Sequence, residues 1–179
     1  MKVEEISRMD IEKKIGGMGD YVKIDYLSSC LKNKIDFDTR RFVLVKLAEL
    51  YENKKMFSEA GKMLRSASDI NTNEKNKISD LVKASELFIK GKMFGEAEMT
   101  VKKALSFSSD KRKKEIKDEV KETYKKLAES YEKKDQRKNA ADVYNLLLEF
   151  DLDQNERKEI YSKLLKIMKA WADSKSIIK

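Results

Sequence analysis

A nearly identical internal sequence repeat is the feature that most constrains what this chain can fold into. The segment KMFSEA, which begins at Lys55, returns as KMFGEA from Lys92, 37 residues later. A third and more distant copy follows the second after 43 residues. Periods of roughly 20–50 residues are typical of arrays in which each copy is one small structural unit. The extended copies are LAELYENKKMFSEAGKMLRSA from Leu47, ASELFIKGKMFGEAEMTVKKA from Ala84 and LAESYEKKDQRKNAADVYNLL from Leu127.

Each copy predicts two amphipathic helices joined by a short turn. In the first copy, apolar residues recur every three or four positions on both sides of the turn, which is the spacing of one helix face. In the second copy, Gly91 falls just past the first helix, where we expect a glycine in the left-handed C-cap conformation. The six extra residues of the third copy keep the helical rhythm from Ile116 to Tyr131 and predict a longer first helix. The two faces in the first copy are Val43, Leu47, Leu50 and Tyr51, then Phe57, Ala60, Leu64 and Ala67.

Weaker versions of this pattern flank the three clear copies. The start of the chain predicts a degenerate helical pair that is broken by a glycine-rich stretch at residues 16–20. Cys30 precedes the small residue Ala67 by one period, so we expect the cysteine to pack in the core. The expected organisation is one continuous domain, with a degenerate helical pair at 1–37, three hairpins at 38–152, and a capping helix and tail at 153–179.

The last predicted helix has a start signal and an apolar stripe. Asp153 is suited to be its N-cap, and Glu156 at the third helical position completes a capping box. A terminal helix of this kind covers the end of a repeat array, which otherwise exposes a face built to pack on another repeat. The predicted stripe consists of Ile160, Leu164, Ile167, Met168 and Trp171.

Composition narrows both the fold class and the chemistry. Proline is absent, only six glycines occur, and 40% of the residues are charged, which favours an all-α protein because long charged side chains lose little freedom in a helix. The chain has no histidine and a single cysteine, so the usual zinc ligands and the commonest general base are missing. We therefore expect a protein that is not an enzyme and that uses no metal and no cofactor.

The charge and the apolar runs bear on where the protein works. A formal net charge of +8 favours solubility and weak attraction to polyanions. No stretch approaches the roughly 18 consecutive apolar residues of a membrane span. The opening segment MKVEEISRMDIEKK carries acidic residues where a signal peptide has an apolar run. The expectation is a cytoplasmic protein that does not insert into membranes.

At these spacings the copies resemble the tetratricopeptide repeat (TPR) family. A TPR is a helix pair of about 34 residues, with small residues where its helices approach closely and an aromatic residue late in its first helix. The small positions hold Ala48, Ala60 and Ala67 in the first copy, Ser85, Ala97 and Ala104 in the second, and Ala128, Ala140 and Leu147 in the third. The aromatic position holds Tyr51, Phe88 and Tyr131. The larger Leu147, the longer period and the absence of proline make the likeness divergent.

The resemblance implies an α-α superhelix, or solenoid, of TPR-like hairpins closed by the capping helix. It also implies a protein-protein interaction module, an adaptor or assembly scaffold, whose partner is a protein or peptide segment in a groove lined by the first helices. The basic and asparagine clamp that holds chaperone C-termini is missing, because Val45 and Glu49 stand at its positions. The implied groove positions are Phe42, Val45, Glu49, Glu52 and Asn53; Ser79, Val82, Glu86, Ile89 and Lys90; and Glu122, Lys125, Glu129, Glu132 and Lys133.

Several alternatives stay open at this point. The apolar groove positions are either partner contacts or core residues covered by another part of the chain, and the charged ones are expected to be mostly solvated. A dense basic run allows weak RNA contact by a basic helical-repeat protein, although acidic residues follow it directly. Self-association through the two ends of the array is the third possibility. The basic run consists of Lys111, Arg112, Lys113, Lys114 and Lys117.

Overall fold

The computed structural model describes residues 6–176, with side chains up to residue 172. Within that range the chain forms nine α-helices and no β-strand, which confirms the all-α prediction. The chain divides into two compact units, Met1–Ile116 and Lys117–Lys179, and the boundary between them falls within the seventh helix.

The helices follow the predicted order along the chain. The third copy begins with a helix of 24 residues, whereas the first helices of the other two copies have 17 each, so the extra residues lengthen the helix as expected. The helices are α1 (Arg8–Ile15), α2 (Asp20–Cys30), α3 (Phe37–Asn53), α4 (Phe57–Ile70), α5 (Glu74–Lys90), α6 (Phe94–Ser106), α7 (Asp110–Lys133), α8 (Arg137–Leu147) and α9 (Gln154–Ser176).

The corners of the hairpins α3–α4, α5–α6 and α7–α8 share one backbone geometry. Lys55, Lys92 and Asp135 adopt left-handed conformations with φ of 60°, 61° and 53°, at the same spacing as the three copies. The N–H after each of them donates to a carbonyl five residues back, as from Met56 to Tyr51 at 2.8 Å. This pattern is the Schellman motif, which satisfies the last carbonyls of the first helix. The repeat in the sequence is therefore also a repeat in backbone geometry.

The left-handed conformation expected of Gly91 is wrong. Gly91 is the C-cap of α5, but its φ is −81°, and the left-handed residue is the next one, Lys92. A different constraint requires a glycine here, because a Cβ on Gly91 would lie 2.7 Å from Oγ and 3.0 Å from the backbone N of Ser58 in α4. The glycine thus allows the corner of the second hairpin to approach the start of α4.

A second close contact joins α4 to α5. A Cβ on Gly61 would lie 2.9 Å from two ring atoms of Phe88, and both residues are buried. The guanidinium of Arg65 lies over the same Phe88 ring, 5.1 Å from its centre. Because Gly61 has no side chain, the Phe88 ring can pack directly against the backbone of α4.

The N-terminal helices share a core with the first hairpin. Ile11 and Ile15 of α1 lie in one buried cluster with Phe42 of α3, and Cys30 of α2 belongs to the same cluster. Cys30 is completely buried, which confirms the prediction that it packs in the core. An ion pair of 2.9 Å between Asp20 and Lys54 further joins α2 to the end of α3. The degenerate pair therefore forms part of the first compact unit.

The last helix begins as predicted but buries less of its stripe. Asp153 Oδ1 accepts the backbone N–H of Glu156 at 2.8 Å, and Glu156 Oε2 accepts the backbone N–H of Asp153 at 3.1 Å, which is a capping box. Ile160 and Ile167 are buried, but Met168 and Trp171 are exposed, so the predicted stripe is wrong at those two positions.

We expect Gly61→Ala to lower the free energy of unfolding by about 1–3 kcal/mol, because the added methyl group collides with the immobile Phe88 ring. Gly95→Ala is the matched control, since Gly95 lies in α6 with no atom near its Cβ position. Helix propensity alone should make the control more stable by about 0.5–1 kcal/mol. Urea denaturation followed by circular dichroism measures both, and equal effects at the two sites would contradict the packing argument.

Replacing Lys55 by glycine should raise the free energy of unfolding by about 0.5–1 kcal/mol, because its left-handed conformation is strained for a residue with a Cβ. Asn53→Gly, at the last residue of α3, should instead be destabilising by a similar amount. Thermal denaturation of the two variants should therefore shift the midpoint in opposite directions.

Candidate functional site

The apolar positions of the expected groove lie in the core of the first unit. Phe42, Val82 and Ile89 are all buried, and Val45 is half-buried. Phe42 is covered from the N-terminal side, where it shares a cluster with residues of α1 and the Arg8 guanidinium lies 4.7 Å from its ring centre. The sequence left open whether the apolar positions contact a partner or belong to the core. Phe42, Val82 and Ile89 belong to the core.

Two charged groove positions of the first unit, Glu52 and Lys90, form an ion pair between first helices. Glu52 of α3 accepts from Lys83 of α5 at 3.1 Å and lies 3.6 Å from Lys90 of the same helix. Arg41 and Asp80 form a further pair between α3 and α5 at 3.0 Å. The side chains of Glu52, Lys83 and Lys90 keep about a third or more of their surface exposed, so these pairs lie at the solvated surface.

What remains of the expected groove in the first unit is a polar surface. Glu49, Asn53 and Ser79 are exposed, and Glu49 pairs with Lys46 one turn away on α3. Glu86 is half-buried and lies 4.0 Å from Lys83. No large apolar side chain of the expected set stays exposed here, so this surface lacks the apolar anchors of a peptide groove.

The groove positions of the second unit are also mostly paired. Lys125 donates to Glu156 of α9 at 2.8 Å, and Glu129 lies 3.5 Å from Lys163 of the same helix. Glu122 lies 3.6 Å from Lys126 on an exposed turn of α7. These contacts connect α7 to α9, and Lys133 is left exposed at the end of α7.

Glu132 has a separate role inside the third hairpin. Its Oε2 accepts a hydrogen bond from the Tyr144 hydroxyl at 2.8 Å, which ties the end of α7 to α8. Burial and the neighbouring Glu132 carboxylate raise the pKa of Tyr144 well above its ordinary value, so the hydroxyl remains a proton donor in this bond.

The basic run occupies the first two turns of α7 and is partly neutralised. Arg112 donates to Glu115 at 3.1 Å, and Lys113 donates to Asp110 at 2.9 Å. Lys111 and Lys114 are exposed in the first unit, and Lys117, beyond the boundary, is exposed in the second. Positive charge near a helix start also opposes the helix dipole. The acid–base pairs reduce the polyanion attraction that the sequence suggested.

An exposed apolar face on α9 was not anticipated from the sequence. Tyr161, Leu165 and Met168 lie on one face by helical spacing and are 48%, 57% and 61% exposed, and Trp171 beside them is 38% exposed. A neighbouring side of α9 carries Ile160 and Ile167, which are buried. We call Tyr161, Leu165 and Met168 the α9 face. A row of large apolar side chains in water is a common mark of a binding surface.

The repeat register explains which face this is. Extending the array by a further 37 residues aligns the three members of the α9 face with positions that are buried in the second and third copies. Lys163 of α9 and Lys83 of α5 also hold one register position, and each pairs with a carboxylate of the preceding first helix. The buried counterparts are Leu81, Ser85 and Phe88 in the second copy and Tyr124, Ala128 and Tyr131 in the third. If the repeat register had been continued past residue 152, it would have shown that Tyr161, Leu165 and Met168 occupy the register positions of these buried residues.

Basic residues border the α9 face. By helical spacing Lys158 and Lys169 lie along one edge of it, next to Leu165, and Arg157 lies near the other edge. Lys158 and Lys169 are exposed, Arg157 is half-buried, and none of the three pairs with a carboxylate among the side chains that the structure describes.

A shallow depression lies beside Trp171. Its volume is about 330 Å³, and it is lined by the corner residues 135–139 and the Trp171 ring. Arg137 crosses it, donating to the Asp135 carboxylate at 2.8 Å and to the carbonyl of Ala170 at 3.2 Å. The Arg137 guanidinium in this depression already has hydrogen-bond acceptors, so it is less available to bind a polar ligand.

Metal binding and membrane spanning have no candidate in residues 6–176. No group of three or more cysteine, aspartate or glutamate side chains there is placed to hold a metal ion. No helix of that part is both long and apolar enough to cross a bilayer. Comparison of the chain with protein-family models, with curated proteins and with solved structures found no match.

A half-buried ion-pair centre is expected to give the second unit a pH dependence. Glu156 Oε1 lies 2.8 Å from Lys125 Nζ and 3.0 Å from Lys121 Nζ. These two bonds, Lys125 first, and the Asp153 backbone N–H lower the pKa of Glu156 from 4.5 to about 2. The charged form is therefore favoured in the folded protein, and its contribution is present above pH 4.5 and lost as the pH falls toward 2.

Between pH 6 and pH 3 the wild-type free energy of unfolding should fall by about 1–2 kcal/mol more than that of Glu156→Gln, after allowing for solvent screening. Trp171, the single tryptophan of the chain, reports unfolding of this unit by its fluorescence. Parallel pH profiles for the two proteins would show that the ion-pair centre does not stabilise the fold.

Proposed function

We propose that this chain is a protein-protein interaction module, an adaptor or assembly scaffold built as a TPR-like array of three hairpins followed by α9. The observation that carries the proposal is the α9 face. It presents three large apolar side chains to water on a helix that is buried along a neighbouring side. The repeated corners at Lys55, Lys92 and Asp135 support the array itself.

The magnitude of the apolar effect is consistent with an adaptor of moderate affinity. Complete burial of one large apolar side chain contributes about 1.5–3 kcal/mol. Because the three members of the α9 face are already about half covered, a partner that buries the rest gains roughly 1 kcal/mol from each. Association itself costs several kcal/mol, so a stable complex also needs polar contacts at the rim.

This proposal moves the binding surface away from the groove that the resemblance implies. Phe42, Val82 and Ile89 support the core of the first unit, and charged substitutions there would unfold it rather than test binding. Glu49, Asn53 and Ser79 remain available as polar contacts. RNA binding receives less support, because acidic residues pair with Arg112 and Lys113.

Affinity capture from the native cell tests the proposal with Leu165→Asn as the bait variant. Met99→Asn is the matched control, because Met99 on α6 is 56% exposed and lies outside the α9 face. We expect the wild type and the control to recover the same proteins and Leu165→Asn to lose them, since the substitution removes an apolar contact but leaves the fold intact.

Salt separates the protein partner from RNA in the same experiment. A complex held by apolar contact should persist from about 150 to 500 mM salt, whereas RNA binding weakens steeply over this range through counterion release. Recovery that is lost at high salt and after ribonuclease treatment, and that is indifferent to Leu165→Asn, would overturn the proposal in favour of RNA.

A further inference from the structure

We propose that the α9 face receives an amphipathic helix with acidic flanks from another protein. This inference rests on the proposed function and names the chemistry of the partner. It follows from the register of α9, from the residues that occupy the same positions elsewhere, and from the charges along the edges of the face.

The register places α9 as a first helix, and no second helix follows it within residues 6–176. In the second and third copies the positions equivalent to Tyr161, Leu165 and Met168 are buried, and in the first copy Leu44 and Ala48 are buried and Tyr51 is half-buried. In each of those copies a second helix follows the first. In α9 the equivalent positions are about half exposed or more. The face that is bare in α9 is therefore one that the chain covers wherever a hairpin is complete.

The second helices of the chain show what such a face accepts. Ala60 of α4, Ala97 of α6 and Ala140 of α8 hold one register position, and all three are buried. A small residue there lets two helices approach closely. In α9 the facing position is filled by Leu165 rather than by Ala or Ser. The incoming helix must therefore carry a small residue at its crossing point.

The edges of the face select the charge of the occupant. Lys158 and Lys169 border one side and Arg157 the other, with no carboxylate partner among the described side chains. An incoming helix with glutamate or aspartate beside its apolar stripe would pair with them and be held in register. A second copy of α9 would instead bring lysine against lysine, and like charges in contact oppose association.

An anionic membrane surface fits the geometry less well than a helix does. Basic amphipathic helices on membranes bury a broad apolar face in the lipid. In α9 the apolar side chains of Ile160 and Ile167 are already buried by protein. The exposed apolar strip is therefore limited to the α9 face and the Trp171 side chain next to it.

The test uses a 14-residue peptide with the α4 sequence, Phe57–Ile70, carrying M63E and I70E, which together with Glu59 lie on the flank beside its apolar stripe by helical spacing. A lactam bridge between outward positions holds the peptide helical, which circular dichroism verifies. Binding to the full chain is followed through Trp171, because the peptide contains no tryptophan. We expect saturable binding that is at least tenfold weaker for Met168→Asn and changed less than twofold for Met99→Asn.

A charge exchange makes the test reciprocal. The double variant Lys158→Glu, Lys169→Glu should bind the acidic peptide at least tenfold more weakly. It should gain binding of the same peptide built with lysine at the three flank positions. Equal binding of both peptides by the wild type, or no binding of the helical acidic peptide, would overturn the proposal.

Two further measurements identify the other occupants. Flotation with vesicles of phosphatidylserine and phosphatidylcholine that depends on Met168, without peptide binding, would assign the face to a membrane and overturn the helix. Light scattering that shows a dimer broken by Met168→Asn would assign it to a second copy and also overturn the helix.

The proposed function fails separately from this inference. Cellular capture that still depends on Leu165 while the acidic peptide does not bind would leave the adaptor role standing and remove the acidic helix. Capture that is indifferent to Leu165 would remove the α9 face as a protein-binding surface altogether.

Discussion

Each first helix in this chain has apolar residues on two sides, and each side needs a neighbouring helix. α5 shows the condition fully met, since Leu81, Leu87 and Phe88 are completely buried. The requirement follows from the sequence pattern, because a hairpin with apolar residues on two sides cannot bury them alone. This requirement explains why the α1–α2 pair packs on α3 and why Gly61 allows α4 to approach Phe88 of α5. It also explains why the exposed apolar side of α9 is unusual in this chain.

Polar contacts add specificity to this arrangement. Pairs such as Arg41–Asp80 in the first unit and Lys125–Glu156 in the second join successive first helices at defined positions. Pairs of this kind at a surface contribute little stability each, typically under about 1 kcal/mol. These pairs neutralise charged side chains of the first helices, so fewer of those side chains are available to form ion pairs with a partner.

The sequence predicted the helices and corners well because their determinants are local. Period, apolar spacing and the capping residues at Asp153 and Glu156 act within one or two turns. Gly91 shows where local reasoning failed. A glycine at a helix end suggested a left-handed residue, but the structure uses it to admit Ser58 from another helix, 33 positions away in the chain.

The candidate site was predicted less well, because exposure depends on which elements lie next to each other. Phe42 belongs to a face that the resemblance places in an open groove, yet α1 covers it. Met168 belongs to a stripe that periodicity places in the core, yet it lies in water. Nothing in either local pattern says whether a neighbouring helix is present.

By itself the sequence determined the all-α class, the repeat period and the position of each corner, since these depend on backbone propensity and spacing along one segment. Only the tertiary structure decided which apolar faces are covered, which charges are paired and where an uncovered face remains. The physical reason is that burial is a property of two surfaces in contact, and a sequence pattern specifies only one of them.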